Sequence, residues 1–258
     1  QGIADRLEAM REHPLGPHEI RQVAISHAHP DHFAWPHFLQ AAFCRGMQAP
    51  GFSWEDPATW PRLTLFAPGH VVRHLPLLNA LSFEETTKGD GSVPLGLDFP
   101  IVHAIGMTGN AGPLPLEGGA TIEALSVYHG FGKVDALGFR VTLPSGHVFA
   151  YSGDAGTCDN LLKLARGADC FVCEAAARVG DEGAATGYGH LTPAQAGQIA
   201  QETGVDCLVL THYSGADTEE DLLRDAVRTL RERRSLASLI IAKDGHFYDF
   251  VEKEGTAS

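Results

Sequence analysis

Residues 22–32 read QVAISHAHPDH, and this stretch decides the interpretation of the whole chain. Its apolar first half predicts a short β-strand, which leads directly into His27, His29, Asp31 and His32. Three imidazoles and a carboxylate crowded into six residues would compete for solvent and partners unless a cation shared them. The cluster also follows the C-terminal end of a strand, where α/β sheets commonly carry sites. The stretch therefore predicts metal binding.

The pattern HxHxDH resembles the hallmark of the metallo-β-lactamase superfamily. The resemblance continues in three later segments, each at the end of an apolar strand-like run: His129 in SVYHG, Asp154 in YSGDAG and His212 in LTHYS. It implies that His27, His29 and His129 hold one metal ion. It further implies that Asp31, His32 and His212 hold a second ion, with Asp154 as the bridge. Imidazole and carboxylate ligands suit two divalent ions, zinc first, with manganese and iron as alternatives.

The segment from Tyr151 to His212 is similar to the branch of this family that contains ribonuclease Z and small phosphodiesterases. In that branch, a histidine in a GH(S/T/L)T-type segment acts beside the metals, and His190 occupies the matching place. The resemblance implies that His190 donates a hydrogen bond or proton to the substrate and that Asp31 orients an attacking hydroxide held between the metals. Alternatively, His190 helps to cap the helix starting near Pro193, for which Thr192 is a good N-cap.

Other polar side chains admit simpler interpretations. Glu174 is either a carboxylate that orients a ligand or a solvated residue at a strand end. Asp159 is predicted to cap a helix over 160–166. The pair Cys170 and Cys173 falls in a strand-like run, which points residues three apart to opposite faces and predicts buried small side chains rather than a metal or redox pair. The remaining histidines are interpreted as polar surface residues: His13, His18, His37, His70, His74, His103, His147 and His246.

The sequence pattern predicts a mixed α/β chain. Residues 3–12 and 38–45 have helical spacing, residues 63–67 read as a strand, and residues 121–152 read as a meander of strands. Helices over 159–166, 193–203 and 219–234 then alternate with strands over 170–174, 207–211 and 239–242. Between 84 and 119 glycine and proline are frequent, which predicts either a lid over the site or a surface insertion. We predict a single domain over residues 1–258, an αββα sandwich of the metallo-β-lactamase type.

Two features depart from the family pattern. Members usually begin with two or more strands and a Gly-rich turn ahead of the helix seen here at 3–12, so we expect the N-terminal strands of the first sheet to be missing. Bacterial ribonuclease Z usually carries a long Gly/Pro-rich and basic arm between the ligands that match His129 and Asp154. Here that interval holds only two predicted strands and a turn, and no arm fits.

Charge and composition limit the kinds of molecule that the protein is expected to bind. Lys and Arg number 19 against 32 Asp and Glu, and the net charge of −13 disfavours long nucleic acids. No apolar stretch approaches the ~20 residues of a membrane span. The 5 cysteines are odd in number and scattered, which favours a reducing cytoplasm. A homodimer is left open.

These observations predict a cytoplasmic metallohydrolase that acts on a small, cyclic or open phosphodiester. The alternatives are a hydrolase of lactones, carboxylic esters or sulfate esters, and a ribonuclease Z-like nuclease. A further alternative is an inactive metal-binding module. The presence of Asp31, Asp154 and His190 speaks against the module, since a structural metal needs fewer groups and no open position.

Overall fold

The computed structural model describes residues 20–33, 50–53, 55–59, 62–83, 101–228, 238–244 and 246. The strands in these ranges are β1 Gln22–Ala24, β2 Arg62–Pro68, β3 Ile101–Met107, β4 Ala111–Pro115, β5 Thr121–Val127, β6 Ala136–Thr142, β7 Val148–Tyr151, β8 Cys170–Ala175, β9 Cys207–Tyr213 and β10 Ser238–Ile241. The helices are α1 Gly69–Phe83, α2 Asp159–Ala165, α3 Glu182–Tyr188, α4 Pro193–Thr203 and α5 Glu219–Arg228. The helices predicted over 3–12 and 38–45 lie outside the described residues.

The described strands form two sheets. The smaller sheet has the order β1-β2-β3 and is parallel throughout. The larger sheet has the order β10-β9-β8-β7-β6-β5-β4. Its β7 to β10 half is parallel, and β4 to β7 form an antiparallel meander. The meander over 121–152 and the later alternation of helix and strand are thus confirmed.

Helices and sheets form four layers, in the order helix, sheet, sheet, helix. Side chains that alternate along each strand pack against a helix on one face and against the other sheet on the other face. In β2, Leu63, Leu65 and Ala67 face one way and pack against α1, whereas Phe66 faces the other sheet. Phe66 and Met107 of the smaller sheet meet apolar residues of β5 and β6 in the core between the sheets. The outer face of the larger sheet packs against residues of α2, α4 and α5. This arrangement is the predicted αββα sandwich.

Helix α4 shows how local sequence fixes an element beside the site. Thr192 is its N-cap, and the Thr192 hydroxyl and the Gln195 side chain form a reciprocal capping box. Pro193 occupies the first turn, where a missing N–H costs nothing. Gly197 lets α5 approach closely, because a Cβ at this position would lie 2.0 Å from the carbonyl oxygen of Ala226. The predicted range of 193–203 is confirmed.

The structure corrects two expectations and adds one helix that was not predicted. From residue 101 onward, the predicted lid or insertion over 84–119 contains β3 and β4, which complete the two sheets, while residues 84–100 lie outside the described ranges. In β4 (AGPLP), glycine and proline interrupt the alternation of side chains. β3 (IVHAIGM) is an apolar run with a single glycine, and its glycine- and proline-rich surroundings obscured it. Asp159 is the first residue of α2, whose N-cap is Cys158. Helix α3, which was not predicted, is short and rich in small residues.

The cysteine prediction is confirmed. Cys170 and Cys173 are both buried, and they belong to different apolar clusters on the two faces of β8. Among the described helices, none has the length and apolar character needed to cross a membrane.

Candidate metal centre

The predicted ligands meet at one edge of the two sheets. His129 follows β5, Asp154 follows β7, and His212 lies near the end of β9. β5 runs in the same direction as β7, since both are antiparallel to β6, so their carboxyl ends share an edge with that of β9. The loop after β1 joins them through a 3.0 Å hydrogen bond from the N–H of Leu137 to the carbonyl oxygen of Ser26. The four segments therefore converge.

The first group of candidate ligands comprises His27, His29, His129 and Asp154. Their ligand atoms all lie within 4.8 Å of one another. His27, His129 and Asp154 are buried, with Asp154 only 2% exposed. Nε2 of His129 lies 3.1 Å from Nδ1 of His29. Two ring nitrogens this close need a proton or a cation between them.

The second group comprises Asp31, His32 and His212, again within 4.8 Å of one another. The Asp31 Oδ2 atom lies 3.3 Å from His212 Nε2 and 3.5 Å from His32 Nε2. This group is more open than the first, because the Asp31 side chain is 62% exposed. Among the described residues, the side of the centre that carries Asp31 is therefore the more open one.

Asp154 lies between the two groups. Its Oδ2 is 3.9 Å from Nε2 of His27 and equally far from Nε2 of His129. Its Oδ1 is 3.1 Å from Nε2 of His32 and 3.6 Å from Nδ1 of His212. Each carboxylate oxygen thus faces one group, which is the arrangement of a bridging ligand.

The polar atoms of this centre fit divalent cations. Four buried side-chain atoms have no hydrogen-bond partner among the described residues: Nε2 of His27, Nε2 of His32, Oδ1 of Asp154 and Nδ1 of His212. An unsatisfied buried polar group costs ~1–3 kcal/mol. Imidazole nitrogens and carboxylate oxygens that converge without partners are the ligand set of zinc and similar metals. The residues present therefore suit the metal ions that the fold family implies.

The protonation states at the centre also suit cation binding. Burial lowers the pKa of His27 to about 3 and lowers that of His129 as well. Burial opposes protonation of His32 too, but the neighbouring Asp154 carboxylate outweighs it and raises the His32 pKa. Burial alone would raise the pKa of Asp154, yet His32 and His212 lower it to about 2. At neutral pH, Asp154 is therefore anionic, while His27 and His129 offer lone pairs.

Gly189 orients the His129 ring. Nδ1 of His129 donates a 3.0 Å hydrogen bond to the carbonyl oxygen of Gly189, which leaves Nε2 as the acceptor that faces the centre. Gly189 has a φ of +81°, and a Cβ there would lie 2.8 Å from Cα of His129. Only glycine combines that backbone conformation with so close an approach.

Glu174 connects His190 to the loop that carries Asp154. It is 1% exposed, and its Oε1 accepts hydrogen bonds from Nδ1 of His190 at 2.8 Å and from the N–H of Ala155 at 2.8 Å. Its Oε2 accepts from the N–H groups of Ala176 and Leu191. The alternative of a solvated strand-end carboxylate is therefore wrong. The hydrogen bond that His190 donates to the Glu174 carboxylate raises the pKa of His190.

His212 occupies a bulge between β8 and β9. The register pairs Glu174 with Thr211 and Ala175 with Tyr213, which leaves His212 as the extra residue. Its φ is +48°, an uncommon value for a residue other than glycine. Simple alternation would place His212 with Leu208 and Leu210, on the face that packs against the helices. The bulge instead brings the ring to Asp154.

The structure thus brings together all eight predicted site residues: His27, His29, Asp31, His32, His129, Asp154, His190 and His212. The His190 and His129 ring centroids are 4.9 Å apart. Sequence reasoning did not resolve the role of Glu174, and it missed those of Gly189 and the bulge. The apolar run ahead of Glu174 could have indicated its role, because a buried carboxylate at the end of such a strand needs hydrogen-bond partners. Outside the site, His70 pairs with Asp135 at 3.2 Å.

The αββα fold and the paired His/Asp groups define a hydrolase of the metallo-β-lactamase type. Residues 3–213 match the family model described as a beta-lactamase superfamily domain, and the chain belongs to that superfamily.

Individual relatives are consistent with this membership. Ribonuclease Z of Thermobifida fusca is 31% identical over 84% of this chain and 76% of its own length. An uncharacterized protein of Mycobacterium tuberculosis is 39% identical over 42% of this chain, a match that spans only 38% of that relative. Among solved structures, the metallo-beta-lactamase fold protein YhfI from Bacillus subtilis superposes with a TM-score of 0.66 at 21% identity. That superposition covers 95% of this chain and 83% of YhfI, and it supports the fold alone.

Proposed function

We propose that this protein hydrolyses a phosphodiester bond in a small molecule with the help of two divalent cations. The observation that carries the proposal is the Glu174–His190 pair, which lies beside the two ligand groups. The ligand atoms of His190, Asp154 and His212 all lie within 4.8 Å of one another, so His190 is close to the bridging carboxylate. A group that can supply a proton at this position matches the need of a phosphodiester with an alkoxide leaving group, whose oxygen takes up a proton as the P–O bond breaks.

Each site residue then has a role. One cation would be held by His27, His29 and His129. The other would be held by Asp31, His32 and His212, and Asp154 would contact both cations. Cations bound there would supply Lewis acidity and activate a water molecule near neutral pH. Asp31, whose carboxylate is largely exposed, accepts a hydrogen bond from the attacking water and so orients it.

His190 acts as the general acid. Its Nδ1–H is committed to Glu174, so Nε2 is the atom that donates a proton to the leaving oxygen. The buried Glu174 carboxylate stabilises the protonated imidazole, an effect that matters next to cations, which repel positive charge. Zinc is the first candidate for the metal because the ligands are imidazoles and carboxylates, and manganese and iron share this preference.

The segment between His129 and Asp154 favours a small substrate. It is described in full and contains the turn Gly130–Gly132, β6, a turn and β7. No arm projects from this stretch to hold a long polynucleotide. The net charge of −13 would also repel one. We therefore place a small phosphodiester ahead of RNA as the substrate.

Processing of precursor tRNA is the second candidate. It is favoured by the 31% identity to a protein named ribonuclease Z, which covers most of both chains. Both candidates use the same phosphodiester chemistry, and they differ in the surface that would hold the rest of the substrate.

A panel of substrates tests the proposal on protein reconstituted with zinc or manganese. The panel contains bis(p-nitrophenyl) phosphate, a cyclic nucleotide, an aryl sulfate, a lactone and a precursor tRNA at moderate salt. We expect turnover of the two small phosphodiesters above that of the other compounds. Efficient 3′ processing of the tRNA would support the second candidate. Turnover confined to the lactone or the sulfate would refute both and assign the site to another ester.

A further inference from the structure

An exposed pair of aromatic rings is not explained by the roles above. Phe131 and Tyr188 are each 58% exposed, and they are among the large apolar side chains that the described surface leaves in contact with solvent. Their ring centroids lie 5.0 Å apart, with the ring planes inclined at 60°. The two rings come from different segments, the turn Gly130–Gly132 and the last residue of α3.

The pair is carried by the two chain segments that also carry His129 and His190 of the metal centre. Phe131 is two residues after His129, and Tyr188 is two residues before His190. The rings of His129 and His190 are themselves 4.9 Å apart. The hydrogen bond from His129 to the carbonyl oxygen of Gly189 holds the two segments together. The backbones of Phe131 and Tyr188 are therefore held within two residues of His129 and His190.

The backbone under Phe131 is held in an unfavourable conformation. Gly130, Phe131 and Gly132 have φ values of 55°, 58° and 71°, so three successive residues adopt the left-handed region. Glycine suits this region, whereas a phenylalanine there is uncommon. Burial of the ring does not compensate, since the ring is mostly exposed. A large side chain that is both strained and exposed next to a reactive centre points to contact with a ligand.

We propose that Phe131 and Tyr188 form an aromatic subsite that stacks on the base of a nucleotide, which makes the substrate a small phosphodiester carrying a nucleobase. This inference rests on the proposed function and names its substrate class. Stacking on aromatic side chains is available to every base and needs no positive charge. A strongly acidic chain can use it to gain affinity that its surface charge does not provide.

Two substitutions test the subsite. Phe131→Gly removes the ring and relieves the left-handed strain, and thermal unfolding and metal content of the variant check that the turn beside His129 is kept. Tyr188→Leu removes the other ring and keeps an apolar side chain at the end of α3. Leu77→Ala is the matched control, because Leu77 is also exposed, at 59%, and belongs to α1.

The first measurement is binding, without turnover. The probe is 2-aminopurine riboside 5′-monophosphate, whose fluorescence is quenched by stacking, titrated into the metal-loaded protein. We expect quenching by the parent and by Leu77→Ala, and an affinity lower by about 10-fold in each ring variant. Ribose 5-phosphate, which has no base, should bind all four proteins equally. Equal affinity of the parent and both ring variants for the probe would overturn the subsite.

The second measurement compares hydrolysis of adenosine 3′,5′-cyclic phosphate with that of its analogue in which hydrogen replaces the base. The parent should show a kcat/KM about 10-fold higher for the base-bearing compound, and the ratio should approach one in both ring variants. Equal hydrolysis of the two compounds by the parent would refute the subsite and leave the proposed function standing. A parent that hydrolyses no phosphodiester would refute the proposed function, while the fluorescence titration would still decide whether the rings stack on a base.

Discussion

Nδ1 of His190 lies 2.8 Å from Oε1 of Glu174, and the same oxygen accepts a hydrogen bond from the backbone of Ala155, the residue after Asp154. One buried carboxylate therefore fixes both the proposed acid and the loop of the proposed bridging ligand. Because Glu174 raises the pKa of His190, it also sets the pH range over which His190 holds its proton.

Glu174→Gln should shift the pH profile of turnover. Loss of the negative charge lowers the pKa of His190, so the alkaline limb of kcat, where the acid loses its proton, should move to lower pH. Since glutamine keeps one acceptor oxygen, we expect kcat to fall by about 10- to 100-fold rather than vanish. The exposed Glu202→Gln on α4 serves as the control. An unshifted alkaline limb in Glu174→Gln would contradict the role of Glu174.

His190→Ala and Asp154→Ala should separate catalysis from metal binding. His190→Ala is expected to keep its metal content and to lose about 10²- to 10⁴-fold in turnover, the usual scale of acid–base assistance. Asp154→Ala should lose both metal and turnover, because the two carboxylate oxygens of Asp154 face the two ligand groups. Elemental analysis and turnover are measured on the same samples, with His147→Ala in the β6–β7 turn as the control. Full activity of His190→Ala would return that residue to a structural role.

The protein should bind about two metal ions per chain and lose them in order as the pH falls. A protonated imidazole cannot bind a cation, and His32 has a raised pKa, whereas that of His27 is lowered to about 3. On acidification from about pH 7.5 to 5.5, His32 is therefore protonated first, and the ion held with Asp31 and His212 should leave before the other. Metal content measured after equilibration at each pH checks the order. Loss of both ions in a single step would contradict it.

Gly189→Ala should damage the centre through the backbone. A Cβ would meet Cα of His129 at 2.8 Å in a conformation already unfavourable for alanine. Gly204→Ala is a matched control, because Gly204 has a φ of +72° and nothing within 4 Å of its added Cβ. We expect Gly204→Ala to cost about 1 kcal/mol of stability and to keep its metal. Gly189→Ala should cost more and bind metal more weakly. Thermal unfolding and metal titration of both variants make the comparison.

The ligand cluster could be predicted from sequence because each ligand is tied to a local pattern. His27 to His32 follow an apolar run directly, and Asp154 and His212 each end one, so strand direction brings these segments to a common edge, where the bulge turns the His212 ring toward Asp154. The partners of His190 could not be predicted in this way. Glu174 acts through backbone N–H groups of distant loops, and the sequence does not show which N–H groups a buried carboxylate will meet.

Irregular backbone explains the other differences. In β4, glycine and proline break the alternation on which strand prediction depends, whereas β3 is an apolar run that directly follows the glycine- and proline-rich residues 84–100. The exposed rings of Phe131 and Tyr188 come together through a left-handed turn and the end of an unpredicted helix. Neither ring takes part in a periodic pattern, so neither stood out in the sequence.

The bulge at His212 makes the centre sensitive to chain length as well as to side-chain identity. In a regular strand, the odd or even position of a residue decides the side on which its side chain lies. With its extra residue, β9 places Leu210 and Tyr213 in or against the same apolar cluster, although they are three positions apart. Removing one residue beside His212 would abolish the bulge and restore the regular alternation of side chains in β9. No point substitution can have that effect. A single-residue deletion in this strand could therefore leave the sheet intact and still remove the His212 ring from the metal centre.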